Sequence, residues 1–295
     1  METNSLILQY LIPHHPVSRL AGIIAGCRIP WVKNWLIKTF IKHYQVDMTE
    51  VLEPDQNSYP TFNDFFTRAV KTRIIPIITD NTATATENAI SHAISPVDGS
   101  ISQRGKIARD NLIQAKGKQY TLEQLLVTPE LISYFYDGDF ITLYLSPRDY
   151  HRVHLPLTGR LRQMIYVPGK LFSVNDVAVK NIAQLFGRNE RVITIFDTAI
   201  GPVALIMVGA MIVGSIKTVW DDVITPNSYE NKKGFKVWRY DDRNIVLKIG
   251  DEVGRFQLGS TVIVLFPKNT INWSNTLELN DHVKMGQSIG TTITE

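Results

Sequence analysis

The stretch LGSTVIVLF, residues 258–266, runs from a Gly-Ser pair straight into β-branched and apolar residues. An apolar run of this length, entered through small residues, reads as a tight turn feeding an apolar strand. Comparable runs recur at 140–145, 161–167, 192–196, 203–208, 212–219 and 245–249. They are short and separated by Gly, Pro and Asp, which suits hairpins better than crossover helices. Helix signals in this part of the chain are confined to 122–126 and 176–186. The expectation is an α+β protein with a mostly antiparallel β body and a helical N-terminal segment.

Working back from that body, residues 80–88 are small and polar and read as a linker. Thr61 and Asp64 have capping-box spacing and predict a helix over 62–70. Residues 4–45 read as two or three short helices, with Pro13 and Pro16 separating the first from the second and Pro30 the second from the third. The third carries Trp31, Trp35, Lys38 and Lys42 at helical spacing. Aromatic bulk beside lysine fits a helix lying in a bilayer interface, and fits equally a helix covering the protein's own core with its lysines in water. The expected division is a helical region over 1–75 and a β-rich domain over 76–295. Ser95–Ile101 and Val283–Gly290 echo one another weakly and resemble turns of the barrel-sandwich fold of biotinyl and lipoyl carriers.

Composition excludes several classes. The chain has 295 residues, 44% of them hydrophobic, enough for a sizeable core. No apolar run approaches the roughly 20 residues of a membrane-spanning helix. The opening METNSLILQY lacks the basic start and small-residue cleavage site of a secretory signal, so a cytoplasmic chain is expected. A single cysteine, Cys27, rules out an internal disulfide and a cysteine-based metal site, and reads as a small buried residue. Of the basic residues, Arg19, Arg28, Lys33, Lys38 and Lys42 all precede residue 46, opposed there by Glu2 alone. A nearly neutral body does not suit nucleic-acid binding.

Three polar segments interrupt the β pattern: Pro96-Val97-Asp98-Gly99, Ser146 to Pro156 with His151 and His154, and Leu258-Gly259-Ser260-Thr261. An acid, two imidazoles and a hydroxyl are the ingredients of an activated nucleophile. Each also has an ordinary reading as a turn or loop residue. No Gly-x-Ser-x-Gly elbow is present. His92 and His282 are isolated in sequence, and no metal is expected.

Leu258-Gly259-Ser260-Thr261 resembles the self-cleavage motif of the phosphatidylserine decarboxylase family, and Ser146 to Pro156 resembles that family's histidine segment. The likeness continues, in the family's order, through Thr61-Phe62-Asn63-Asp64-Phe65-Phe66-Thr67-Arg68, Ser95 to Gly99, Tyr166 to Asn175 and Asn189-Glu190-Arg191-Val192. It is strongest toward the bacterial membrane-associated enzymes.

The resemblance implies a proenzyme that cuts itself between Gly259 and Ser260. Ser260 would attack the Gly259 carbonyl, with His154 as general base and Asp98 fixing its tautomer. Elimination and hydrolysis would then leave fragments 1–259 and 260–295, the second beginning with a covalent pyruvoyl group made from Ser260. That group would form a Schiff base with phosphatidylserine, release CO2 and give phosphatidylethanolamine, with His151 as candidate proton donor. Arg148 and Arg152 are candidates for the lipid phosphate. The partners implied are phosphatidylserine, an anionic membrane surface, the two fragments for each other and a second copy in a homodimer. The location implied is the cytoplasmic face of the inner membrane, peripherally bound. A soluble pyruvoyl decarboxylase of a small amino acid and a non-catalytic carrier-like binding module are the alternatives.

Overall fold

The computed structural model describes residues 14–71, 92–210, 215–221, 234–256 and 260–293. The 80–88 linker, the first N-terminal helix, residues 212–214 of the expected strand and Gly259 lie outside these residues.

The body is built on a nine-stranded sheet. Eight strands follow in the order Lys236–Arg239, Gly159–Val167, Arg191–Thr198, Gly201–Gly209, Ser260–Phe266, Asp139–Leu145, Gly99–Lys106 and His282–Val283, and Val246–Leu247 also pairs with Gly159–Val167. These pairings are antiparallel. The strand opened by Ser260 is therefore interior, bonded on one side to Asp139–Leu145 and on the other to Gly201–Gly209. Val262, Ile263, Val264, Leu265 and Phe266 are all fully buried, which accounts for the absence of polar alternation in this run.

Besides a two-stranded hairpin, Asn111–Ala115 with Lys118–Thr121, there are two three-stranded sheets. Glu252–Phe256 lies between Ile216–Thr218 and Arg152–His154, and Ser288–Thr292 lies between His92–Ile94 and Ile271–Trp273. The two echoing segments meet face to face: Ser95 N donates to the Gln287 carbonyl at 2.8 Å, and Gly286 N to the Ser95 carbonyl at 3.0 Å.

Two helical expectations need correction. The helix expected over 62–70 stops at Phe66, because Ala69 and Val70 are taken into contacts with Leu52 and Val51. The helix expected over 176–186 is two helices, Asp176–Asn181 and Leu185–Arg188. The buried Gln114 amide holds the break, donating to Val179 and Ile182 carbonyls and accepting from Leu185 N, each at 2.7 Å. Of the capping box that the spacing suggested, one half forms: Thr61 Oγ1 accepts from Asp64 N at 3.1 Å, while the Asp64 carboxylate accepts from the Thr61 hydroxyl at 2.7 Å.

At the N-terminus, helices His14–Ala25 and Pro30–Tyr44 are separated at Pro30, whose fixed φ suits a first helical position. Pro16, expected to separate two helices, is taken into the first turn of His14–Ala25, where its missing N–H removes no intrahelical bond. Ala25, Ile37, Val46, Val51, Tyr59, Phe62, Phe65 and Phe66 form a second apolar cluster, distinct from that of the body. Lys33 is buried, its ammonium donating to the Asn57 carbonyl at 3.0 Å. Trp31 and Trp35 on the same helix remain 76% and 63% exposed, and Leu20 and Ile23 on the preceding helix 60% and 73%. Cys27 is half-buried rather than buried, since the chain leaves the helix just before it. Among the described residues no helix is long and apolar enough to cross a membrane.

This packing separates two kinds of aromatic. Phe65 is fully buried against Tyr59 and Phe40, so Phe65→Ala is expected to cost about 3–5 kcal/mol in urea denaturation. Trp31→Ala, removing an exposed ring, is expected to stay within about 0.5 kcal/mol of wild type.

Candidate functional site

The three polar segments come together where the strand Asp139–Leu145 ends. On one side Leu145 pairs with Ser260. On the other, Gly99 packs so tightly that a Cβ there would sit 2.5 Å from the Tyr144 carbonyl oxygen; only glycine permits the approach, and it brings Asp98 to the same edge. Beyond Leu145 the chain continues directly into Ser146 to Pro156. The strand that precedes the Gly-Ser pair is pinned as well, since Phe256 N donates to the His151 carbonyl at 3.1 Å. Phe256 and Ser260, on either side of the Gly259–Ser260 bond, are thus anchored on the histidine segment or its strand.

His154 is buried and both its ring nitrogens are engaged. Nδ1 donates to the Gly250 carbonyl at 2.7 Å, an acceptor only, so the proton sits on Nδ1. The Tyr150 hydroxyl, 2.9 Å away, then donates to Nε2. Burial lowers the pKa of His154, outweighing the Gly250 carbonyl, and pushes that of Tyr150 up to about 12. Asp98, expected to fix the tautomer, reaches His154 only through space; the Gly250 carbonyl does the orienting. The Asp98 carboxylate instead accepts from Met285 N at 2.8 Å, with the Lys284 ammonium 3.9 Å away.

His151 contrasts with its neighbour. It is fully buried and packs on the Phe66 ring at 4.1 Å. Nδ1 donates to the Asp149 carbonyl at 2.8 Å, and Nε2 has no partner. Burial drives its pKa down to about 4, against the pull of the Asp149 carbonyl. It is a neutral imidazole with an open lone pair, an acceptor at rest, whereas the sequence suggested a donor.

The segment is held by groups that sequence reasoning passed over. His282, isolated in sequence, places Nε2 3.1 Å from Asp149 Oδ1, while Asp149 Oδ2 accepts from Ser146 N at 2.8 Å. Burial alone would raise the Asp149 carboxyl, but these contacts hold it below its usual range. Arg68 donates to the Arg148 carbonyl at 2.8 Å. Arg152 is spent on the Thr67 carbonyl and Glu252, at 2.9 and 3.1 Å, which withdraws it as a phosphate ligand. Tyr150 had a usable signal, four residues before His154 in the same segment; the Asp149–His282 pair, 133 residues apart, had none.

Comparison with known proteins supplies an independent line. The family model described as phosphatidylserine decarboxylase matches residues 62–291, and one described as PSD matches residues 5–45. Among curated relatives named phosphatidylserine decarboxylase proenzyme, one from Pseudomonas fluorescens is 50% identical over 289 residues, covering 97% of this chain and 96% of the relative. One from Azotobacter vinelandii is 48% identical over 290 residues, covering 97% and 96%. One from Saccharophagus degradans is 48% identical over 285 residues, covering 96% of each.

The buried imidazole of His151 sets an acid limit on stability. Between its unfolded value of 6.5 and its folded value of about 4, the unfolded chain binds a proton that the folded chain does not, so stability falls as pH falls. His154 acts in the same direction. Replacing His151 by Asn is expected to flatten the pH dependence of the urea midpoint between pH 6.5 and 4, while above pH 7 the profile stays level.

Proposed function

The chain belongs to the phosphatidylserine decarboxylase family, and on that premise we propose how its own residues carry the reaction from phosphatidylserine to phosphatidylethanolamine and CO2. The observation that carries the reading is the meeting of Asp98, the histidine segment and Ser260 at the end of strand Asp139–Leu145.

The first step makes the electrophile. The Ser260 hydroxyl attacks the Gly259 carbonyl and the peptide becomes an ester. His154 Nε2 accepts the serine proton once Tyr150 gives up its hydrogen bond, and the Gly250 carbonyl steadies the imidazolium through Nδ1–H. Asp98 adds a through-space negative charge that favours the same cation. The proton passes to the departing Ser260 nitrogen. Elimination then removes the Ser260 Cα proton and expels the Gly259 carboxylate, and water hydrolyses the resulting dehydroalanine to the pyruvoyl group with release of ammonia, leaving fragments 1–259 and 260–295. The site suits such a group: it starts an interior strand that stays bonded to both neighbours after the cut. The pyruvoyl carbonyl supplies the electron sink into which the carboxylate's electrons pass as CO2 leaves.

His151 handles the proton of the decarboxylation that follows. Its Nε2 lone pair accepts a proton from the substrate ammonium, freeing the amine to react, and afterwards returns that proton to Cα of the product. The released amine regains its ammonium form by taking one further proton from water, so each turnover consumes one proton.

The N-terminal helices bring the enzyme to its substrate at the cytoplasmic face of the inner membrane, without spanning it. The side chains of Leu20, Ile23, Ile24, Ile29, Trp31 and Trp35 are exposed, and Lys38 and Lys42 on the same helix as the tryptophans face water. Exposed rings beside lysines suit the headgroup layer of an anionic bilayer. Two copies of the cleaved chain form the working unit in this reading.

Intact mass of the purified protein tests self-cleavage directly, with a blocked fragment starting at residue 260 expected from wild type and absent in His154→Ala. A whole wild-type chain would overturn the self-cleavage reading. His151→Ala is expected to cut itself yet lose at least about 100-fold in turnover; full turnover would remove His151 from the proton path. Membrane docking predicts that Trp31→Ala with Trp35→Ala weakens co-sedimentation with phosphatidylglycerol vesicles by about tenfold or more, with the urea midpoint unchanged.

A further inference from the structure

Among the described residues two arginines are buried, and they are treated differently. Arg191 is saturated: its guanidinium donates to the carbonyls of Leu125, Gln124, Gly187 and Asn189 at 2.6–2.9 Å. Arg68, 4% exposed, donates only through Nη2, to the Arg148 carbonyl at 2.8 Å and the Asp149 carbonyl at 3.5 Å. Its Nε and Nη1 are buried without any partner. The Phe65 ring, 5.3 Å from Cζ, offers one face of contact but no acceptor. Among the described residues no carboxylate forms an ion pair with it. A buried cation with open donors is strongly disfavoured unless an anion arrives to complete it.

Arg68 lines a cavity of about 250 Å³ that it shares with Asp98, Arg148, Asp149, Tyr150 and Lys284. The acids there are already compensated. Asp149 is held by His282 and Ser146, and Glu50 by Lys284 at 2.9 Å. Asp98 accepts from Met285 N, and Asp47 accepts from Thr49 N and Oγ1. The donors of Arg68 remain, together with Arg148, whose closest carboxylate contact is 3.9 Å.

We propose that Arg68 binds the phosphodiester of the phospholipid headgroup in this cavity. The inference rests on the decarboxylase reading above for the identity of the lipid. Phosphatidylserine offers two anions, and the chemistry selects between them. A guanidinium clamped on the carboxylate would stabilise the group about to leave as neutral CO2, and so hold back the reaction. The phosphate keeps its charge from substrate to product, so binding it anchors the headgroup equally throughout. A planar fork of donors matches phosphate oxygens in geometry as well as charge.

The test separates the two anions and the two sources of phosphate. Ser260→Ala protein, unable to cut itself, is titrated calorimetrically with sn-glycero-3-phosphoethanolamine, which has the phosphodiester and no carboxylate. It is also titrated with O-methylserine, which has the carboxylate and no phosphate, and with inorganic phosphate. Adding Arg68→Gln is expected to weaken the first ligand by about tenfold or more and Arg68→Lys by less, while O-methylserine moves by less than about twofold. The proposal is overturned if Arg68→Gln leaves the first ligand unchanged or weakens both organic ligands alike, as a structural lesion would. It is equally overturned if the first ligand does not bind, or if inorganic phosphate binds as tightly.

In the otherwise wild-type chain, self-cleavage reports folding. Arg68→Gln is expected to process normally, with KM for phosphatidylserine raised about tenfold and kcat within about threefold. Should the Gln variant stay uncut, Arg68→Lys carries the same KM comparison. A wild-type chain that forms no pyruvoyl group, but whose headgroup binding still depends on Arg68, would fail the decarboxylase reading and leave this site standing.

Discussion

Everything at the site depends on Ser260–Phe266 being hydrogen-bonded on both sides. A shift by one residue would exchange Val262, Val264 and Phe266 with Ile263 and Leu265 between two packed faces, so the register with Leu145 and Gly209 is fixed by the fit of the core and not by the site. The five fully buried side chains contribute on the order of 10 kcal/mol at roughly 2 kcal/mol each. A break placed before the first residue of this strand leaves all of that in place. It severs only the link to Phe256, which His151 and Ile216 hold independently. A protein that cuts its own chain has to cut beside a strong element, and this strand is one.

The same logic explains the pairing of the two echoing segments. After the proposed cut, 260–295 would be a short fragment. It is tied to the larger part three times: through Ser260–Phe266, through His282–Val283 on Gly99 and Ser100, and through Ser288–Thr292 on His92–Ile94. The acid turn at Asp98 lies between the last two ties, and Met285 N from the short fragment donates to its carboxylate. Asp98 thus has a packing duty besides its charge.

Much of this was legible from sequence because it is local. Apolar runs mark their own strands by composition, Thr61 marks a helix start, and Gly259-Ser260 and Pro96-Val97-Asp98-Gly99 are contiguous motifs at strand ends. What escaped is non-local. Gln114 breaks a helix lying 65 to 71 residues further along the chain. His282 finds Asp149 across the sheet, and Arg68, the last residue of the motif begun at Thr61, shows its unusual state only when its partners are counted. Lys33 looked like one of several solvated lysines; burial on the Asn57 carbonyl depends on a loop that helical periodicity cannot see. Turn and strand chemistry is written in neighbouring residues, whereas hydrogen-bond completion is a property of the folded whole.

His151 and His154 show what that completion decides. They are three residues apart, both buried and both carrying their proton on Nδ1, donated to a backbone carbonyl. They differ only at Nε2, capped by Tyr150 in one and open in the other. Burial lowers both pKa values, so neither imidazole holds a spare proton at neutral pH. Each can give a proton only after taking one. In the proposed mechanism the source for His154 is the Ser260 hydroxyl, and for His151 the ammonium that the substrate itself brings. On that proposal, the protonation state set by burial orders the events: base first, acid second, with the proton that ends on Cα being one that arrived on nitrogen.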